Sequence, residues 1–125
     1  MREILFRGKR TDTGEWVFGD LLRGGIDYIT AIRTRCGENS YEVVSVDPKT
    51  VGEFTGLYDK NLERVFEGDI IKETFEEIGT QYAEISWSKY GYLKISPFGN
   101  WLFADIKDCE KVGNIHDNPE LLEKK

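Results

Sequence analysis

His116 is the only histidine among the 125 residues, so a proton relay to a serine or cysteine nucleophile would have to be built around it. It stands beside a predicted helix cap at Asn118, and not in a run of residues that would line a cleft. Cys36 and Cys109 lack the spacing of a redox or zinc motif, and a zinc site made with His116 would still need a fourth ligand. We therefore predict no catalytic residue and no metal or cofactor at these positions.

A group of carboxylates is the other set of residues that could do chemistry. It consists of Glu67, Asp69, Glu73, Glu76 and Glu77. Hard cations such as Mg²⁺ prefer carboxylate oxygens, so this group would suit metal-assisted hydrolysis of a phosphodiester. Glu67 and Asp69 would point to the same side of an extended backbone. Gly68 and Asp69 more simply form a structural turn that enters a strand, with the aspartate bonding to backbone amides, and we favour this interpretation.

Aromatic and basic side chains near the carboxyl end form the candidate binding surface predicted from the sequence. It consists of Tyr90, Tyr92, Lys94 and Trp101, with Phe103 close by in sequence. Aromatic rings interleaved with a cation can stack on bases or bury against another protein. Alternatively, Trp101 and Phe103 close the core. Surface exposure, with or without a subunit contact, is favoured over base stacking because the surrounding charge is negative.

The net charge of −6 argues against broad attraction to nucleic acid or to anionic membranes, since both need a positive field. The charge is uneven along the chain. Residues 1–35 hold seven basic and five acidic side chains, whereas residues 36–125 hold ten and eighteen. A local basic surface can form near four of the early residues: Arg2, Arg7, Lys9 and Arg10. Solvated charges flanking a first strand are the simpler interpretation.

The opening segment, residues 1–7, has charges close to its start and no long apolar run. It predicts neither a signal peptide nor a membrane span. We therefore expect a cytoplasmic protein with reduced thiols and no membrane partner.

Apolar residues occur in short bursts separated by Gly, Asp, Asn and Pro about every 8–12 residues, which indicates many short strands and no long helix. The predicted strands are Glu3–Arg7, Glu15–Leu22, Ile26–Thr34, Tyr41–Val46, an edge strand Thr50–Thr55, Asp69–Phe75, Tyr82–Ser88, Tyr92–Ser96 and Lys111–Ile115. Gly56–Leu62 is predicted as a loop. Asn118 is placed to cap a short helix that begins at Pro119.

Alternation is clearest in Tyr82–Ser88, where Ala83, Ile85 and Trp87 share one face. We expect this face to be buried and to pair in a hairpin with Tyr92–Ser96. Since aromatic residues make up 13% of the chain, we also expect an interior rich in aromatic side chains.

A series of short segments, in a fixed order, covers nearly the whole chain. They are Arg2-Glu-Ile4, Phe6-Arg-Gly-Lys-Arg10, Gly14-Glu-Trp-Val17, Val46-Asp-Pro48, Thr50-Val-Gly52, Thr55-Gly-Leu57, Asp59-Lys-Asn61, Phe66-Glu-Gly-Asp-Ile-Ile71, Val112-Gly-Asn-Ile115 and Asn118-Pro-Glu-Leu-Leu122. In this order and spacing they resemble the YopX family of phage and prophage proteins. Leu62 departs from the family pattern, which has glycine after Asp-Lys-Asn. Leucine adopts a positive φ less readily than glycine, so we expect Asn61 to adopt the positive φ in this turn instead.

The resemblance implies a mainly β fold of short antiparallel strands with an SH3-like barrel portion and at most one or two short helices. It also implies a phage or prophage origin and a tendency to self-associate, and it brings no reaction and no catalytic residue. We expect a single YopX-like domain over residues 1–125. The alternative is that this domain consists of two small β lobes that meet near residues 56–66.

The leading hypothesis is a non-catalytic binding or interaction module in the cytoplasm of the bacterial host. Its expected partners are other copies of itself, in a homo-oligomer, and a host or phage protein. A barrel that binds single-stranded nucleic acid is the alternative hypothesis, although the net charge disfavours this partner. A metal-dependent hydrolase that uses Glu67 and Asp69 is the third.

Overall fold

The structure is a computed structural model that describes residues 4–24, 29–77, 79–88, 91–96, 99–102 and 106–122. Contacts along the chain divide it into two compact units, Met1–Phe54 and Thr55–Lys125. Each unit is described by itself, and the single domain over residues 1–125 stays a prediction. None of the helices in the described ranges is long and apolar enough to cross a membrane.

The first unit is an antiparallel sheet. Its strands are β1 (Phe6–Lys9), β2 (Trp16–Gly24), β3 (Ile29–Arg35), β4 (Tyr41–Ser45) and the first residues of β5 (Gly52–Tyr58). They lie in the order β4-β3-β2-β1-β5. The predicted strands agree in position with these, although the predicted starts at Glu3 and Ile26 lie outside the described residues. The predicted edge strand at Thr50–Thr55 is wrong in two respects, because β5 begins at Gly52 and has a neighbour on each side in the sheet order, β1 and the strand Arg64–Phe66.

A 3₁₀ turn at Pro48–Thr50 replaces the start of that predicted strand. The side chain of Asp47 accepts a hydrogen bond from the Lys49 amide at 3.0 Å, and the Thr50 hydroxyl donates to the Asp47 carbonyl at 2.7 Å. An aspartate cap followed by proline stabilises a tight turn more than an extended chain, which explains the shift.

The sheet of the first unit curls until the end of β4 reaches the end of β1. Val46 forms an antiparallel bridge with Arg10, and the Asp47 amide donates to the Lys9 carbonyl at 2.9 Å. A methyl group built on Gly8 would lie 3.0 Å from Val46 Cβ, so the two strands approach closely there. Because this closing contact consists of one bridge, the described strands form an open antiparallel sheet and not a closed barrel. The SH3-like portion stays a prediction.

One face of the curled sheet is buried. Ile32, Val44 and Val46 have 0%, 5% and 2% of their surface exposed. Strands β2 and β3 approach closely at Gly19, where an added Cβ would overlap the Arg33 carbonyl oxygen. Only glycine fits at that point of the sheet.

The second unit contains a five-stranded antiparallel sheet in the order β10-β9-β8-β7-β11. Its strands are β7 (Asp69–Phe75), β8 (Gly79–Ser88), β9 (Gly91–Ser96), β10 (Gly99–Leu102) and β11 (Glu110–Asn114). The predicted hairpin of the Tyr82 and Tyr92 strands is present as β8 and β9. Strand β10 was not predicted.

The predicted loop Gly56–Leu62 is wrong in its first half, because β5 continues to Tyr58. Beside this half of β5 lies β6 (Arg64–Phe66), which the sequence analysis missed. The Thr55 hydroxyl donates to the Val65 carbonyl at 2.7 Å, so a buried side chain reinforces the pairing. Gly56 adopts a φ of 84°, which lets the strand bend where the sequence suggested that it stopped.

Two more 3₁₀ turns, Ile106–Asp108 and Pro119–Leu122, occur in the second unit. The second is the short helix predicted after Asn118. With Pro48–Thr50 they bring the short helical segments in the described ranges to three, one more than predicted, and none of them is an α-helix.

The core of the second unit is aliphatic. It consists of Val65, Ile71, Ala83, Ile85, Ile106 and Cys109. Ala83 and Ile85 are buried as the alternation predicted. Among the side chains that the structure describes, Phe54 and Phe66 are the aromatic residues in the buried set, while several others are exposed. The expectation of an aromatic-rich interior stays a prediction, because the side chains of Trp87, Tyr92 and Trp101, among others, lie outside the described set.

Candidate binding surface

The outer face of the first unit's sheet carries exposed aromatic and basic side chains. We define it by six residues at alternating positions of β2, β3 and β4: Phe18, Asp20, Arg33, Arg35, Tyr41 and Val43. The register places Asp20 opposite Arg33, Arg33 opposite Val43, and Arg35 opposite Tyr41. Directly opposed residues of an antiparallel pair point to the same side, so the six share one face. All six are exposed.

Arg33 is held at the centre of the outer face by two contacts. Its guanidinium carbon lies 4.9 Å from the centre of the Tyr41 ring, and its Nη2 atom donates to Asp20 Oδ2 at 2.8 Å. The Arg35 Nη2 atom donates to the Glu38 carbonyl at 2.8 Å, which holds the second guanidinium at the edge of the same face. Cation–π contacts of this kind are worth about 0.5–1 kcal/mol at exposed sites. They orient the cations and leave them accessible to solvent.

Trp16 extends the outer face towards β1. The Arg7 guanidinium lies 4.6 Å from the centre of the Trp16 ring, and Lys9 Nζ lies 5.4 Å from it. Arg7 is opposite Phe18 in the register and is only 3% exposed, whereas Lys9 is half-buried. The buried Arg7 guanidinium therefore packs against the indole ring.

The six residues of the outer face include two arginines and one carboxylate, on a chain of net charge −6. The carboxylate, Asp20, forms an exposed ion pair with Arg33, so Arg35 supplies the remaining positive charge of these six residues. Of the residues of the predicted basic surface, Arg2 lies outside the described residues, Arg7 is buried and Lys9 is half-buried. The alternation of Arg33 and Arg35 along one strand was the sequence signal for this arrangement, and it was missed.

Arg10, the fourth residue of the predicted basic surface, is engaged elsewhere. Its Nε atom donates to Asp12 Oδ1 at 2.9 Å, and the two side chains form an exposed ion pair. The hydrogen bond from Arg10 holds the pKa of the Asp12 carboxyl below its usual value. The pair neutralises itself and adds no net charge to the surface.

The binding surface predicted from the sequence lies in the second unit. Lys94 of β9 is opposite Trp101 of β10, and Tyr92 is opposite Trp87 of β8. Tyr90 and Phe103 lie outside the described residues, as do the side chains of Tyr92, Lys94 and Trp101. That surface stays a prediction.

Gly68 and Asp69 lie where a tight turn joins β6 to β7. Gly68 has a φ of 92°, and its amide donates to the Ile85 carbonyl at 2.9 Å. Asp69 is fully buried, and its Oδ2 atom accepts a hydrogen bond from the Phe66 amide at 2.6 Å. The turn interrupts the extended backbone that would have aligned Glu67 with Asp69. The geometric premise of the metal-site hypothesis is therefore wrong.

Lys111 of β11 connects Asp69 to its surroundings. Lys111 Nζ lies 3.4 Å from Asp69 Oδ2 and donates to the Arg64 carbonyl at 3.0 Å. The Lys111 amide donates to Asp59 Oδ2 at 2.9 Å. One lysine thus contacts two buried carboxylates, and the role of this cluster is to tie β11 to the chain around β6.

Asp59 is 2% exposed and organises the turn that follows β5. Its Oδ1 atom accepts hydrogen bonds from the Asn61 and Glu63 amides at 2.8 and 2.9 Å. Burial alone would raise the pKa of the Asp59 carboxyl, but the backbone amides that bond to it outweigh this effect and hold the pKa below its usual value.

The sole histidine lies in a turn of the second unit. The His116 amide donates to Asn114 Oδ1 at 2.9 Å, within a turn after β11. Cys36 is exposed in the first unit, and Cys109 is buried in the second. Across the described ranges, no three His, Cys, Asp or Glu residues are grouped so that they could hold a metal ion.

The fold and the surface define a small antiparallel β protein with an exposed cationic and aromatic sheet face. The sequence model described as YopX protein matches residues 5–123, and the chain therefore belongs to the YopX family. A comparison with curated proteins finds no match.

Among solved structures, the chain is similar to the crystal structure of protein EF1440 from Enterococcus faecalis. The two are 24% identical, with a TM-score of 0.59, over 98% of this chain and 100% of that chain. This likeness shows a shared fold.

Proposed function

We propose that the protein is a non-catalytic binding module, of phage or prophage origin, that acts in the cytoplasm of a bacterial host through the outer face of its first unit. The exposed row of Arg33, Tyr41 and Val43 carries this proposal. Single exposed apolar residues are ordinary on folded proteins, whereas contiguous exposed aromatic and apolar side chains point to interaction. The SH3-like barrel portion, which the family resemblance implies, belongs to the same proposal.

The test is capture of a partner by the tagged full-length protein from host lysate, compared with the double variant Arg33→Gln, Tyr41→Ala. We expect one stoichiometric partner that survives moderate salt and is lost from the double variant. Tyr58→Ala, which removes an exposed aromatic ring from the second unit, is the matched control and should retain the partner. Equal capture by all three proteins would contradict the assignment of the outer face.

We also propose that the protein self-associates through the edge of β4, the end strand in the sheet order of the first unit. The Val46 amide donates inwards to the Thr30 carbonyl, and the Ser45 carbonyl accepts outwards from the Thr11 amide. Because the direction of hydrogen bonding alternates along an antiparallel strand, the main chain of Val43 also faces outwards. Arg10 and Thr11 already contact this edge at Val46 and Ser45, so the part proposed for pairing is Tyr41–Val43, beside a recess of about 220 Å³.

Edge pairing would leave the outer face open, because it extends the sheet sideways, and closed two-fold pairing is the common outcome of such edges. Sedimentation equilibrium at micromolar concentration tests this assembly. We expect a discrete oligomer, and a protein that is monomeric throughout would refute this part of the proposal.

A further inference from the structure

From the direction of the main chain along β4 we infer that two copies pair there antiparallel, about a two-fold axis beside Glu42. The two Glu42 side chains then oppose each other, which makes the assembly sensitive to acid and to salt. This inference rests on the edge pairing proposed above and adds its register and its regulation.

The hydrogen bonds at the two ends of β4 show which of its residues direct their main chain outwards. The Cys36 amide donates to the Ser40 carbonyl at 3.0 Å, and the Val46 amide donates to the Thr30 carbonyl at 3.1 Å. Even-numbered residues therefore bond towards β3, and the direction alternates along an antiparallel strand. The residues that face outwards are Tyr41, Val43 and Ser45.

The register follows from these outward residues. Ser45 is already bonded, because its carbonyl accepts from the Thr11 amide at 3.1 Å. A two-fold axis at Glu42 pairs Tyr41 of each copy with Val43 of the other, so that both residues exchange main-chain hydrogen bonds. An axis at Val43 would need Ser45 as well. An axis at Tyr41 would pair Val43 with a residue of the bend that precedes β4.

This register opposes different side chains on the two sides of the sheet. On the outer face, each Tyr41 would lie opposite Val43 of the second copy, so the directly opposed positions carry no charge. On the inner side, the exposed Glu42 would lie opposite Glu42 of the second copy, with about 4.5 Å between the Cα atoms. Like charges that oppose each other directly weaken the pairing of two strands.

Two more charged groups face Glu42, from the segment that follows β1. Arg10 and Asp12 line the same recess as Glu42. The hydrogen bond to Asp12 and, more weakly, the charge of Glu42 raise the pKa of Arg10. From β3, the residue opposite Glu42 is the uncharged Thr34. One cation against two carboxylates leaves the recess of each copy negative, so pairing brings two negative recesses together.

Substitution by cysteine along β4 tests the register. Glu42→Cys, combined with Cys36→Ser to remove the exposed native thiol, should cross-link two copies under mild oxidation, since a Cα separation of about 4.5 Å suits a disulfide. Tyr41→Cys and Val43→Cys in the same background are the matched controls. Their equivalent positions on two copies are diagonal, roughly 7–8 Å apart, so they should cross-link roughly 10-fold less. A control that cross-links as well as Glu42→Cys would overturn the inference.

Sedimentation equilibrium at several pH values and salt concentrations tests the charge pair. Dimer affinity of the parent should rise as the pH falls from about 7 to about 5, because a carboxylate beside another resists ionisation. It should also rise with added salt, which screens the repulsion. Glu42→Gln should tighten the dimer roughly 2- to 5-fold at about pH 7 and reduce both dependences.

Glu38→Gln, which removes an exposed carboxylate from the loop before β4, is the control for charge and should behave as the parent does. Unchanged or weaker association of Glu42→Gln would show that the two carboxylates do not oppose each other, and would overturn the inference.

The register and the edge pairing fail in different ways. A parent that is monomeric at every concentration would refute the edge pairing, and the register with it. If the parent assembles and Val43→Pro abolishes the assembly, while none of the cysteine variants cross-links, the edge pairing stands and the two-fold register is wrong.

Discussion

Leu62 shows how a single residue can be forced into an unfavourable conformation by its neighbours. It has a φ of 64° and is 81% exposed. The expectation that Asn61 would take the positive φ is wrong, because Asp59 bonds to the Asn61 and Glu63 amides and its carbonyl accepts from the Leu62 amide at 3.0 Å. These bonds fix the turn, and the residue at its corner must adopt whatever φ the turn requires.

Leu62→Gly should therefore stabilise the protein. The left-handed conformation costs an L-residue about 1–2 kcal/mol, and glycine avoids this strain. Glycine also has more conformational freedom in the unfolded chain, which offsets part of the stabilisation, so the free energy of unfolding should rise by about 0.5–1 kcal/mol. The measurement is the free energy of unfolding in urea. Leu62→Ala, which removes the exposed side chain but retains Cβ, is the control and should gain much less. Equal gains would show that the exposed leucine, and not the backbone, was responsible.

Asp59 gives a prediction that depends on pH. Asp59→Asn should cost roughly 1.5–3 kcal/mol of stability at pH 7, because hydrogen bonds to a charged acceptor are lost and an amide NH₂ group would face a backbone N–H group. A carboxyl group with a depressed pKa stabilises the folded state fully above its unfolded-state pKa, near 4, and loses this effect as the pH falls through the lower folded-state value.

The stability difference between parent and Asp59→Asn should thus shrink as the pH falls below about 4. Urea unfolding at neutral and acidic pH measures it, with Asp108→Asn, an exposed position in the second unit, as the control. A difference that stays constant with pH would show that the ionised carboxylate is not what stabilises the turn.

At the scale of the elements, the longer strands with turn formers at their ends were predictable and the short ones were not. Asp69–Phe75 was predicted with both ends correct, because turn formers precede it and its isoleucines, threonine and phenylalanine favour a strand. Strand β6 has only three residues, too few to show a period, and its pairing depends on the buried hydroxyl of Thr55. Information of that kind lies in tertiary contacts and not in local sequence.

The candidate surface was hidden from sequence reasoning for a related reason. Arg33, Tyr41 and Asp20 are far apart in sequence and meet only through the register of three strands. The charge of the first 35 residues indicated a basic region, but it did not show which cations share a face. The sequence therefore predicted the fold class well and this site poorly.

The close approach of β2 and β3 yields a prediction about packing. Gly19→Ala should destabilise the protein by roughly 2–3 kcal/mol, because its Cβ would meet a backbone carbonyl that cannot rotate away. Gly37→Ala is the control, since a Cβ there would lie 3.7 Å from its nearest neighbour, Ser40 Cβ. Thermal unfolding of both variants measures the difference. A tolerated Gly19→Ala would mean that the two strands can separate at little cost.

At the scale of the whole molecule, the proposed assembly depends on one strand edge. Val43→Pro removes a backbone N–H group that faces away from β3, and proline is tolerated at such edge positions. We expect this variant to shift the sedimentation profile towards monomer while it stays folded. Val43→Ala retains the N–H group and should assemble as the parent does. Unchanged assembly of the proline variant would exclude the β4 edge as the interface.

The complete burial of Cys109 has a practical consequence, because a thiol at 0% exposure can react with a labelling reagent only when the surrounding core opens. Cys36 is exposed after β3 and should react at once, so it provides the intrinsic rate for comparison within the same molecule. The ratio of the two labelling rates would report the opening free energy of the second unit under native conditions, without denaturant and without any substitution.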